Sequence, residues 1–93
     1  MDRETMLIAM KVDLGFTFTT AAYDDRLGQY LDAARAAIER EGITIDDESV
    51  EDGNMIVMYA AHLWRKRDTQ EGMPKMLRWM MNNRLFSEKL REE

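Results

Sequence analysis

The chain has 93 residues, a net charge of −5 and no cysteine, and these properties already exclude several classes of protein. A chain of this length forms one domain with a modest core, so we expect a single helical domain over residues 1–93. Disulfides and thiolate metal sites require cysteine, and a generic DNA-binding protein requires an excess of Lys and Arg. Here 18 acidic residues outnumber 13 basic ones. Because no apolar run approaches the roughly 20 residues of a membrane span, and the N-terminus is not typical of a signal peptide, we expect a soluble, cytoplasmic protein without a membrane partner.

The first predicted helix covers residues 4–14 and ends at Gly15. Its apolar side chains recur at helical spacing, at Met6, Leu7, Met10 and Leu14. Residues 15–20 then form an extended linker, which Phe16 and Phe18 pin to the fold. Since Phe and Thr alternate in this linker, a short strand that pairs with a neighbouring subunit is the alternative.

The second predicted helix covers residues 21–41. Thr20 is a suitable N-cap, and Asp24 and Asp25 lie near the positive end of the helix dipole. Gly42 supplies a C-cap with positive φ. The connection that follows is short, so the second and third helices are expected to be antiparallel neighbours.

The third predicted helix covers residues 47–67, and Ser49 with Asp52 matches the capping-box pattern at its start. Between Met55 and Trp64 it is almost wholly apolar, which is typical of the central, most buried helix of a bundle. Its last turn carries Arg65, Lys66 and Arg67, which complement the negative end of the dipole.

The fourth predicted helix covers residues 74–90, with Pro74 at its first position, and frays into the charged C-terminal tail. Its apolar face is formed by Met73, Met76, Leu77, Met80 and Met81, while Trp79 and Phe86 lie at other angles. We therefore expect one face to pack on the third helix and another to meet a second subunit. The predicted fold class is all-α, a small bundle of about four helices.

No group of residues indicates catalysis, a cofactor or a metal site, so we expect a protein that is not an enzyme. The acidic residues over 46–52 do not follow the ligand spacing of an EF-hand loop, because Gly53 comes after the turn position. His62, the single histidine, has no second histidine or cysteine near it in the sequence. Both features are better explained as a capped helix start and a helical side chain.

The basic residues beside Trp64 leave two interpretations open. Basic side chains with an aromatic neighbour suit contacts with nucleic acid, and the phosphate contacts would then be Arg65, Lys66, Arg67, Lys75, Arg78 and Arg84. The interpretation that we favour is dipole compensation at a helix end, in an acidic protein.

The order of these features resembles the tailed-phage head–tail connector family, small helical proteins that are also described as phage DNA-packaging proteins. The similarity covers about residues 6–86. It lies in YDDRLGQYLDAARAAIEREGI, then VMYAAHLWRKR, a short polar loop, MP, and MLRWMMNNRLF.

The resemblance implies a homo-oligomeric ring beneath the portal, which extends the DNA channel and docks head-completion or tail proteins. DNA would pass through the ring without sequence-specific binding. The protein would be present in the host cytoplasm during assembly and then at the head–tail junction of the virion.

The rival function is a small helical DNA-binding or regulatory module that uses Arg65, Lys66, Arg67 and the fourth helix. The predicted subunit or partner interface comprises Phe16, Phe18, Trp64, Arg65, Arg67, Met73, Pro74, Trp79, Met80, Arg84 and Phe86.

Overall fold

The structure, a computed structural model, describes residues 1–16, 21–67 and 72–92, and these form four α-helices with no strand among them. The helices are α1 (Arg3–Asp13), α2 (Asp24–Arg40), α3 (Val50–Lys66) and α4 (Lys75–Glu92), and a 3₁₀ turn, Ala21–Tyr23, precedes α2. The predicted all-α bundle of four helices is confirmed. None of the described helices is long and apolar enough to span a bilayer.

Helix α3 is the centre of the bundle, as its apolar sequence predicts. It contacts each of the other three helices, and its apolar residues at 55–57, 60 and 61 are almost fully buried. The ring centroid of Tyr30, in the first half of α2, lies 5.4 Å from that of Trp64 near the end of α3, as expected for antiparallel neighbours. The other helices complete the core with Met10, Leu27, Leu31, Ala34, Ile38, Leu77 and Met81.

Three predicted capping residues are confirmed by the local backbone geometry, although the helix bounds differ from the predicted ones by one to three residues. Gly15 has a φ of +77° and allows the N–H of Phe16 to donate to the carbonyl of Lys11 at 2.9 Å, which closes α1. Gly42 has a φ of +104° and follows the end of α2, where its N–H donates to the carbonyl of Glu39 at 3.0 Å. At the start of α3, the Ser49 hydroxyl accepts a hydrogen bond of 3.2 Å from the N–H of Asp52.

The first two helices begin at residues other than those predicted. Helix α1 starts at Arg3 instead of residue 4, because the Asp2 carboxylate accepts from the N–H of Thr5 at 2.7 Å. Helix α2 starts at Asp24 instead of residue 21, since the preceding residues wind as a 3₁₀ turn. The Asp24 carboxylate lies 2.5 Å from the Nζ of buried Lys11, which ties this start to α1. Thr20, the predicted N-cap, and residues 17–20 of the predicted linker lie outside the described residues.

The last two helices also differ from the predicted boundaries. Helix α3 starts at Val50 instead of residue 47, because Ser49 donates its N–H to the carbonyl of Asp46 and closes a turn first. Pro74 stands one residue before α4, and its carbonyl accepts the N–H of Arg78 at 3.1 Å. The predicted helix end at residue 90 is two residues short, since α4 continues to Glu92.

Replacement of Leu77 by Ala should destabilise the fold by about 2–4 kcal/mol, because a fully buried side chain that joins α4 to the core would leave a cavity. Urea unfolding followed by circular dichroism measures this change. Asn82→Ala, at an exposed position of the same helix, should change the free energy of unfolding by no more than about 0.5 kcal/mol. Equal effects of the two substitutions would show that α4 is not anchored through Leu77.

The pair of Arg35 in α2 and Asp47 in the α2–α3 connection should contribute fully to stability above about pH 4 and progressively less as the pH falls further. The Arg35 guanidinium donates to the Asp47 carboxylate at 2.5 Å and lowers the pKa of Asp47. Because the folded pKa lies below the unfolded value, the stabilisation is complete above the unfolded pKa of about 3.9. It is lost as pH falls through the folded pKa.

Urea midpoints measured between pH 7 and pH 2 test this expectation. Asp47→Asn should reduce the loss of stability on acidification, and Arg35→Gln should reduce it similarly. The variant with both substitutions should show the same reduced loss of stability on acidification as either single variant. A loss on acidification that is identical in wild type and Asp47→Asn would contradict the assignment.

Candidate assembly interface

Helix α4 carries apolar side chains on two opposite faces. Its inner face packs on the core through Leu77 and Met81, neither of which is exposed. On the outer face, side chains spaced alternately by three and four residues form one line, because an α-helix has 3.6 residues per turn. We call this line the outer stripe; it consists of Met76, Trp79, Asn83, Phe86 and Leu90.

The outer stripe is exposed along its whole length. Its four large apolar side chains are between 57% and 65% accessible to solvent. Isolated exposed apolar residues are ordinary in proteins, but a contiguous line of them is typical of an interaction surface. The outer stripe is therefore the main candidate for an assembly interface among the described residues.

A groove runs along one edge of the outer stripe, where α4 meets the start of α3. It has a volume of about 460 Å³, and Glu51 and Met55 of α3 and Met80 of α4 contribute to its walls. Glu51 is exposed and gives this edge an acidic character. The opposite edge of the outer stripe carries Lys75 and Lys89, both exposed.

The rotation of α4 is set by a network of polar contacts around Arg84. Its guanidinium forms an ion pair with the Asp52 carboxylate, whose side chain is only 3% exposed. The same guanidinium donates to the carbonyl of Thr44 at 2.6 Å, and the N–H of Thr44 donates to Glu88 at 2.7 Å. Asp52 also accepts the N–H of Asp46 at 2.8 Å. These contacts join α4, the start of α3 and the α2–α3 connection.

A second arginine of α4 is also paired within the chain. Arg78 donates to the carboxylate of Glu41 at 2.8 Å, and this contact raises the pKa of Arg78. Because Arg78 and Arg84 face carboxylates of the same chain, two of the six residues of the predicted phosphate-binding set are partly neutralised.

The end of the bundle near Trp64 is built from aromatic rings. The ring of Phe16 lies 5.5 Å from that of Tyr23 and 6.1 Å from that of Trp64, centroid to centroid. The guanidinium of Arg67 stacks over the Trp64 ring at 3.9 Å, an arrangement favoured by cation–π attraction. Arg65 donates to the carbonyl of Asp13 at 2.7 Å, which ties α3 to the end of α1.

The structure divides the predicted interface residues between two regions. Trp79, Met80 and Phe86 lie on or beside the outer stripe, and Arg84 lies at its edge with its guanidinium bound inside the chain. A second set lies around the aromatic end and the junction before α4, and comprises Phe16, Trp64, Arg65, Arg67, Met73 and Pro74. Phe18 lies outside the described residues. The interface itself stays a prediction.

Sequence reasoning placed one residue of the outer stripe incorrectly. Met76 was grouped with Leu77 and Met81 on one apolar face, but it is 61% exposed whereas they are buried. The sequence did contain a signal for the outer stripe, because positions 76, 79, 83, 86 and 90 alternate by three and four residues, the spacing of one helix face. Asp52 was expected only to cap α3, because nothing local in the sequence indicates its pairing with Arg84, 32 residues away.

Among the described residues, no group of three or more His, Asp or Glu side chains is arranged to hold a metal ion.

Compared with known proteins, the chain matches no protein-family model, no curated protein and no solved structure.

Replacement of Arg84 by Leu should destabilise the fold by about 3–5 kcal/mol, because it leaves the Asp52 carboxylate buried without its charged partner. In a double-mutant cycle with Asp52→Asn, the two changes should couple by about 1–3 kcal/mol. Urea unfolding of the four proteins measures this coupling. Additive effects would show that Arg84 and Asp52 contribute independently.

Proposed function

We propose that this chain is a structural assembly subunit without catalytic activity, and that it acts as a head–tail connector of a tailed phage. In this role, copies of the chain form a ring beneath the portal that extends the DNA channel. The phage identity rests on the resemblance of the sequence from residue 6 to residue 86. The assembly role rests on the second apolar face of α4.

The observation that carries the assembly role is the outer stripe. A single-domain chain of 93 residues has only a modest core, yet it leaves a Trp, a Phe, a Met and a Leu exposed in one line. Aromatic and Met side chains are the residue types enriched at protein–protein contacts. A surface of this kind supports a function that depends on contact with another protein chain.

The distribution of charge supports passage of DNA without tight binding. The net charge is −5, and Arg78 and Arg84 are paired with carboxylates of the same chain. Tight nucleic-acid binding depends on Lys and Arg that are available to neutralise phosphates. A channel built from such subunits would let DNA slide instead of holding its backbone.

The partners of this ring would be the phage portal on one side and head-completion or tail proteins on the other. The subunit would assemble in the host cytoplasm and remain in the virion at the head–tail junction. The rival function, a small DNA-binding or regulatory module, would use Lys66 and Lys75, which are exposed, together with Arg65 and Arg67.

Analytical ultracentrifugation over a wide concentration range, with negative-stain images of the largest species, tests the proposal. Closed rings should form as the concentration rises, because repeated head-to-tail contacts close into rings. Fluorescence anisotropy with labelled duplex DNA should show little binding at physiological salt. Species no larger than a dimer, or salt-sensitive DNA binding by a monomer, would contradict the proposal.

A further inference from the structure

The outer stripe has the residue spacing of a coiled-coil seam. The side chains at 76, 79, 83, 86 and 90 alternate by three and four residues, which is the seven-residue repeat of two helices packed along each other. A coiled coil of only 18 residues is marginal if its helices must form on association. Here α4 is already held as a helix by Leu77, Met81 and the contacts of Arg84, so pairing need not order it.

The size of the outer stripe indicates what kind of surface would cover it. The two aromatic side chains of the stripe bury about 150–250 Å² each when they are covered, and with Met76 and Leu90, which are also exposed by more than half, the stripe offers roughly 500 Å² of apolar area. Specific interfaces use about 800 Å² per partner, and the groove beside Met80 adds to the stripe. The other exposed large apolar side chains form no line of comparable length, since Ile8 and Val12 are a single pair on α1 and Tyr23 and Val50 lie on other elements. Within the described chain, the surface that matches the stripe in length and character is the stripe itself.

Asn83 selects the direction in which two such stripes pair. In a parallel pair Asn83 meets Asn83 of the second copy, where each amide both donates and accepts a hydrogen bond. In an antiparallel pair it faces Trp79 or Phe86 of the second copy, and its amide loses its partners at a cost of about 1–3 kcal/mol. A single Asn in an apolar seam is the known device for fixing register and the number of chains.

The charges at the two edges of the outer stripe favour the same direction. One edge carries Lys75 and Lys89, and the other borders Glu51 of α3. A parallel pair places the basic edge of each copy against the acidic edge of the other. An antiparallel pair places Lys75 beside Lys89 of the second copy, which like-charge repulsion disfavours.

We propose that the outer stripe is covered by the outer stripe of a second copy of this chain, with the two α4 helices parallel and in register around a two-fold axis. The pair is a closed contact, so it produces a dimer and leaves the head-to-tail contacts of a ring to other surfaces. The proposed pairing of the two outer stripes does not depend on whether the chain is a connector. Rings that persist without this contact would support the connector alone, and dimers that form no rings would support the pairing alone.

Sedimentation equilibrium of the full chain tests whether the outer stripe forms the contact between the two copies. Below the concentrations at which rings form, wild type should be a dimer that dissociates on dilution, and Phe86→Lys should raise the dissociation constant of this dimer at least about 100-fold, because the charge enters the contact twice. Phe86 is 65% exposed in the single chain, so the circular dichroism of the variant should be unchanged. Val12→Lys, at a position 71% exposed on α1, is the matched control and should dimerise normally. A wild type that stays monomeric, or a Phe86→Lys variant that dimerises normally, would overturn the proposal.

Cysteine cross-linking tests the direction of the pair, since the chain has no cysteine of its own. In the parallel pair, Leu90→Cys places two thiols face to face, and oxidised glutathione should link the copies rapidly. An antiparallel pair would separate these thiols by at least about 15 Å, given the 1.5 Å rise per residue. Ala36→Cys, at an exposed position of α2, is the control for random collision. Cross-linking of Leu90→Cys no faster than that of Ala36→Cys would overturn the parallel arrangement.

Discussion

The ion pair between Arg84 and the buried carboxylate of Asp52 determines how α4 is rotated against the rest of the fold. A buried carboxylate is strongly disfavoured without a partner, and Arg84 is the charged side chain that meets it. The same guanidinium holds the carbonyl of Thr44, and Glu88 holds the N–H of that residue. A rotation of α4 by one residue position, about 100°, would break all of these contacts together.

This constraint connects the fold to the proposed role of the protein. Once Arg84 and Glu88 face the α2–α3 connection, Leu77 and Met81 face the core, and the outer stripe must face solvent. The apolar content of α4 exceeds what one face can bury, and the excess is collected in a line instead of being scattered. A helix of this kind is stable within its own chain and still presents a surface for a second one.

The parts of the fold that were predictable are those that follow from neighbouring residues. Gly15 and Gly42 end helices because glycine adopts positive φ without strain, and Ser49 caps α3 because its hydroxyl reaches a nearby N–H. The start of α2 was not predictable in this way, since it depends on Lys11 of α1 reaching Asp24. The pairing of Asp52 with Arg84 likewise links distant residues. Met76 was assigned to the wrong face because the rotation of α4 depends on that distant pair.

The exposure of Trp79 tests most directly the claim that the outer stripe is covered by another chain. The protein has two tryptophans, so Trp64→Phe leaves Trp79 as the single indole fluorophore. Trp79 is 63% exposed in the isolated chain, and its emission should be that of a solvated indole at low concentration. As the concentration rises, the emission maximum should shift to shorter wavelength, with the same midpoint as the rise in mass. An emission maximum that stays at the solvated position while the mass increases would contradict the account, because the chain would then associate through another surface.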